Sequence, residues 1–179
     1  MISPFQIFGE ALAGWLLADL ITGAFHWWED RIGREDMPII GAWLVTPNRL
    51  HHTEPLAFTR GSLMDRSLAI FVTAAIVGLA WLMVFGPSVL LVALCLGGAL
   101  SNEVHRLAHL PKPRPCVAIL QEIGLFQSSR QHAAHHRPPS ESHYCVLTSW
   151  LNPPLDALRF WSRLEAVLMR LGLCKAIGA

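Results

Sequence analysis

Leu68 to Phe85 is a run of eighteen residues without a charge. Inside hydrocarbon a backbone has no water to bond, so such a run is stable only as a helix that satisfies its own N–H and C=O groups. Gly86-Pro87 breaks the run and Ser88 to Leu100 is apolar again, which predicts a helical hairpin. A third apolar stretch, Phe5 to Trp28, comes first; it lacks the basic leader and small-residue cleavage site of a secretory signal. The whole chain is 53% hydrophobic and only 15% charged, against about 25% charged in soluble domains. The expectation is an all-α integral membrane protein, a single domain over residues 1–179, with about three transmembrane helices near 5–28, 68–85 and 88–108.

All fourteen Lys and Arg lie within residues 31–66 or 106–175. The positive-inside rule places both segments in the cytoplasm, so the ends of the spans that meet them are the cytoplasmic ends. A multi-pass protein of a bacterial inner membrane or the endoplasmic reticulum, with its active site on the cytoplasmic side, follows from this. A net charge of +1 offers no field for nucleic acid, and none is expected as a partner. The four cysteines are scattered with no Cys-x-x-Cys, hence reduced thiols.

Between the spans, residues 29–67 are punctuated by Gly and Pro and read as a structured loop at the membrane surface. Pro111 to Pro115 is extended, and Val117 to Phe126, too short to cross a bilayer, reads as interfacial or re-entrant. Residues 155–173 alternate apolar and basic positions, as in an amphipathic helix lying on the membrane or packed on the protein's own cap.

Nine histidines cluster near the ends of the spans: His26, His51, His52, His105, His109, His132, His135, His136 and His143. On a helix, His132, His135 and His136 share a face and would aim three imidazoles at one point. His105 and His109, one turn apart, emerge together from the hairpin's second arm. All nine can meet in one cytoplasmic layer, forming a histidine-rich cap. Asp19, Gly23, His26 and Asp30 form one stripe of the first helix, and acids inside a bilayer are costly enough to mark either packing or chemistry.

Imidazole suits iron, copper, zinc and nickel. A membrane zinc hydrolase would need a carboxylate base and commonly shows His-Glu-x-x-His, which is absent. A haem-binding electron carrier would use two histidines per haem at depth, whereas these gather at one surface. Many imidazoles instead suggest two metal ions of a redox type.

The runs Ala18 to Asp30, Asn48 to His52, Asn102 to His109, His132 to His136 and His143 to Asn152 resemble the plasmanylethanolamine desaturase family, together with the related plant desaturase of plastid phosphatidylglycerol. The resemblance implies a membrane di-iron lipid desaturase, with two iron ions and O2 as co-substrate. Electrons come from a separate donor such as cytochrome b5 or ferredoxin with its reductase. The substrate is a phospholipid, an ether phospholipid in the plasmalogen case, where the product is a vinyl ether; acyl-chain desaturation or hydroxylation of another phospholipid is the alternative. It makes His26, His51, His52, His105, His109, His132, His135 and His136 the metal ligands and Asp30 a further site residue, and leaves His143 unassigned. Asp30 and Asp19 are then expected to accept N–H bonds from ligating rings, and Arg49, Arg60, Arg106 and Arg137 are candidates for the lipid phosphate as well as plain membrane anchors.

Overall fold

The computed structural model describes residues 2–174, and these are helices and connecting segments with no strand. Helix α1 spans Pro4–Arg31 and begins with a capping box, Ser3 Oγ accepting from the Gln6 amide and the Gln6 side chain accepting from the Ser3 amide. A π-helical turn, Gly41–Val45, leads into α2 (Thr46–Thr53) and α3 (Pro55–Phe58). Helix α4, Leu63–Phe85, starts five residues before the uncharged run, because Ser62 and Asp65 cap it reciprocally. It stops at Gly86, whose φ of 75° a side chain would disfavour. Ser88 then caps α5, Val89–Ala108. Of these, α1 and α4 are long and apolar enough to cross a membrane.

Helices α1 and α5 run side by side in the same direction. A Cβ on Gly14 would lie 2.3 Å from the Leu90 carbonyl oxygen, and one on Gly97 would lie 2.7 Å from Ala18 Cβ, so these glycines let the two backbones approach as small residues do in membrane bundles. The intramembrane acid Glu10 accepts from the Val89 and Leu90 amides, a carboxylate set against the positive end of α5. Helix α4 folds back antiparallel on α5 and barely touches α1.

The remaining chain forms α6 (Pro115–Glu122), α7 (Ser129–His135), α8 (Asn152–Ala157) and α9 (Phe160–Arg170) at the end of the bundle where the basic residues lie. The single amphipathic helix expected over 155–173 is broken at Leu158-Arg159, where Arg159 takes φ 49°. Its second half packs on the protein itself: Trp161 stacks on Trp27 at 6.0 Å, and Arg31 makes a forked pair with Glu165 at 3.0 and 3.1 Å.

What holds this end together is a strap without regular structure. Tyr144 to Thr148 are each at most 3% exposed, and their backbone groups find partners in side chains, as buried polar groups must. Asp19 accepts from the Leu147 amide (2.8 Å), the Thr148 amide (3.1 Å) and the Thr148 hydroxyl (2.6 Å). Asn152 brackets Cys145 through both its amide and its carbonyl, and Gln127 donates to the same carbonyl. Gly23 makes room, since a Cβ there would meet Cys145 Sγ at 2.8 Å. The expected role of Asp19 beside a ligating ring is therefore corrected: its carboxylate is used up on the strap.

Candidate metal centre

Two clusters of ligand atoms adjoin at the basic end. One comprises His51, His105, His109, His132 and His136; the other His26, Asp30, His52 and His135, and within each cluster the ligand atoms lie within 4.8 Å of one another. Neighbours in sequence part company because adjacent residues on a helix point about 100° apart: His51 turns to the first cluster and His52 to the second. The three imidazoles of α7 and its C-cap, expected at one point, divide as well. His132 and His136, one turn apart, share the first cluster, while His135 joins the second.

The first cluster is a cage. His132 Nε2 lies 3.0 Å from His105 Nε2, 2.8 Å from His109 Nε2 and 3.0 Å from His136 Nε2. A ring nitrogen carries either one proton or one lone pair, so hydrogen bonding alone does not account for four nitrogens facing one another. A cation does: imidazole nitrogens bind a metal such as zinc at about 2.0–2.1 Å, and two of them at right angles are then about 3.0 Å apart. The rings are also neutral. Burial first, and then the neighbouring imidazoles, hold His109 down to about 4 and His136 to about 3, and take His51 and His132 well below the usual imidazole range. Neutral imidazole is the ligating form.

In the second cluster Asp30 stands among the rings. Its Oδ1 is 3.1 Å from His52 Nε2 and its Oδ2 is 3.3 Å from His135 Nε2 and 3.6 Å from His26 Nε2. His26 Nε2, His135 Nε2 and Asp30 Oδ2 are buried with no hydrogen-bond partner among the described residues, a donor set that fits a cation and is costly without one. The expectation that Asp30 orients a ring from outside is revised, because it faces the same nitrogens that would bind the ion.

The tautomers are set from behind. His26 Nδ1–H donates to the Tyr144 carbonyl at 3.2 Å, His135 Nδ1–H to the Ser142 carbonyl at 2.7 Å, and His51 Nδ1–H to the Asn48 carbonyl, which leaves Nε2 with the lone pair in each. Asn48, which the sequence reading passed over, also donates its side-chain amide to Asp30; its place three residues before His51 was the available signal. His143 belongs to neither cluster. It sits at φ 60° with its ring 3.2 Å from Asp156, so eight imidazoles meet and the ninth turns away.

A cavity of about 300 Å3 adjoins both clusters, with His26, His51 and His105 in its lining. Arg66 lines it, whereas Arg49, Arg60, Arg106 and Arg137 do not. Arg49 binds the Gly33 carbonyl and Arg106 binds Glu103.

A family model described as a lipid desaturase domain matches residues 15–176. Plasmanylethanolamine desaturase 1 of Mus musculus is 30% identical over 94% of this chain and 67% of its own length. Plasmanylethanolamine desaturase of Myxococcus xanthus is 30% identical over 90% of the chain and 60% of its own. Fatty acid desaturase 4, chloroplastic, of Arabidopsis thaliana is 35% identical over 87% of the chain and 49% of its own. The chain thus spans between about half and two thirds of the length of these relatives. No solved structure matches it.

Proposed function

This chain belongs to the lipid desaturase family, and on that footing we propose that it is a membrane di-iron enzyme that introduces a double bond into the chain of a phospholipid, plasmanylethanolamine foremost. The observation that carries the reading is the pair of adjoining clusters with a cavity against them. Iron bound in such a pair supplies O2-dependent removal of two hydrogens from adjacent carbons, chemistry that redox-inert zinc does not offer.

The chain's own residues hold and shape that site. His105, His109, His132 and His136 would hold one iron with His51, and His26, Asp30, His52 and His135 the other. The carbonyls of Tyr144, Ser142 and Asn48 keep Nδ1 protonated and Nε2 available. His26, His132 and His135 are almost fully buried, so bulk water is kept from the centre. By the positive-inside rule it lies at the cytoplasmic face, where a separate electron donor such as cytochrome b5 or ferredoxin with its reductase reaches it.

Lipid analysis of cells with and without the gene tests the reading, together with metal content of the purified protein. A vinyl ether lipid and about two irons per chain are expected. Stoichiometric zinc with hydrolase activity and unchanged lipid unsaturation would overturn it. A second reading, desaturation of an acyl chain, is favoured by the 35% identity to the plant fatty acid desaturase; a new acyl double bond without a vinyl ether would select it.

A further inference from the structure

Helices α1 and α4 both pack on α5 yet barely touch each other, so the cavity beside the clusters is a groove with α5 as its floor. Phe25 of α1 lines one wall, Ala69 and Thr73 of α4 the other, and Trp43 of the π-helical turn lies at the basic end. Phe25 and Trp43 are exposed, as are Val72 and Ile76 on α4 next to the wall. In a helix that crosses the bilayer such residues face hydrocarbon, so the groove is continuous with a surface bathed in lipid chains and is filled by lateral movement from the bilayer.

One charged group in the lining speaks for the other end of the occupant. Arg66, the one Lys or Arg in a lining that also holds Glu29 and Asp65, has a side chain only 9% exposed; it pairs with Glu103 at 2.9 Å and donates to the Gly61 carbonyl, and its Nε–H is the group left buried with no hydrogen-bond partner among the described residues. It shares a face of α4 with Ala69 and Thr73, at spacings of three and seven residues. Arginine presents its N–H groups to phosphate in a way that suits a lipid headgroup.

We propose that this groove receives one hydrocarbon chain of a phospholipid sideways from the bilayer, its phosphate at Arg66 and the chain laid along Ala69 and Thr73. From Arg66 to Thr73 is about 10 Å at 1.5 Å per residue. The inference rests on the lipid desaturase reading above and adds the route of entry and the residues that define it. Ala69 lines the groove between Arg66 and Thr73, so a large side chain there fills it.

The test uses the metal-loaded protein in phosphatidylcholine vesicles that contain a phospholipid with a photoactivatable diazirine in one chain; illumination is followed by peptide mapping. The label is expected on Phe25 and on residues 69–73. Ala69→Trp should cut both groove labelling and turnover at least tenfold, with bound metal and melting temperature unchanged, while Leu68→Trp, exposed and turned about 100° away from Ala69 outside the lining, alters neither. Thr73→Trp repeats the test should Ala69→Trp not fold. A diazirine diradylglycerol without phosphate should label the groove about tenfold less. Label spread evenly around α4, or full labelling of both tryptophan variants, overturns the groove, and equal labelling by the phosphate-free lipid overturns the assignment of Arg66. Groove labelling with no new double bond in any lipid leaves the groove standing and overturns the desaturase reading instead.

Discussion

Asp30 lies one turn beyond His26 on α1, and its two oxygens reach three ring nitrogens and the Asn48 side chain. Asp30→Asn is nearly isosteric, so the expected outcome is a loss of metal rather than of fold: bound iron falls from about two toward one per chain, and desaturation drops by about 10- to 100-fold or more, the range for disturbed metal surroundings. Metal analysis and product measurement on the purified variant check this, and Glu29→Gln should cost far less. Asp19 behaves in the opposite way. Asp19→Ala leaves two buried amides and a hydroxyl without their acceptor, at about 1–3 kcal/mol each, against a total stability of about 5–15 kcal/mol. Folded protein should disappear in gel filtration before any question of metal arises. Both acids were legible as unusual from sequence, but the spacing that put them on one stripe said nothing about which faced a strap and which faced rings.

Among the elements, α1 and α5 carry the site because they run parallel at close range and deliver His26 and His105 to the same level. Gly14 is a point of close approach, where an added Cβ would lie 2.3 Å from the Leu90 carbonyl oxygen. Gly14→Val is expected to overpack that contact at about 1–3 kcal/mol, which a thermal-shift measurement in detergent would read as a lowered melting temperature, with metal retention impaired at the distant end. Gly9→Val is the control, since a Cβ at Gly9 meets nothing within 4 Å. The helices themselves were readable: capping residues, uncharged runs and the Gly-Pro break are local chemistry. The break at Arg159 was not, because the apolar and basic alternation continues straight through it and only the docking of Trp161 and Glu165 onto α1 turns the chain there.

For the whole molecule, the confinement of every Lys and Arg to two segments predicts that a cysteine near Pro87 reacts with a membrane-impermeant reagent from outside, while one near Pro47 reacts only after the membrane is opened. Outside labelling near Pro47 would contradict a metal centre at the cytoplasmic face. The helical class follows from sequence alone, since hydropathy acts residue by residue; the spacing gathers nine histidines at span ends, and the family resemblance is what sets His143 aside from the other eight. Tertiary structure alone decided how those imidazoles divide. Sequence spacing orders ligands along one helix, but the partition into two clusters depends on the angle at which α1, α2, α5 and α7 meet. The buried strap from Tyr144 to Thr148 ties part of that arrangement together, its backbone held by Asp19, Gln127 and Asn152 from distant parts of the chain and its Leu147 packed on Ala18 of α1 and Val104 of α5. Contacts of that range leave no periodicity in the sequence, because each donor and its acceptor are brought together by packing and not by their separation along the chain.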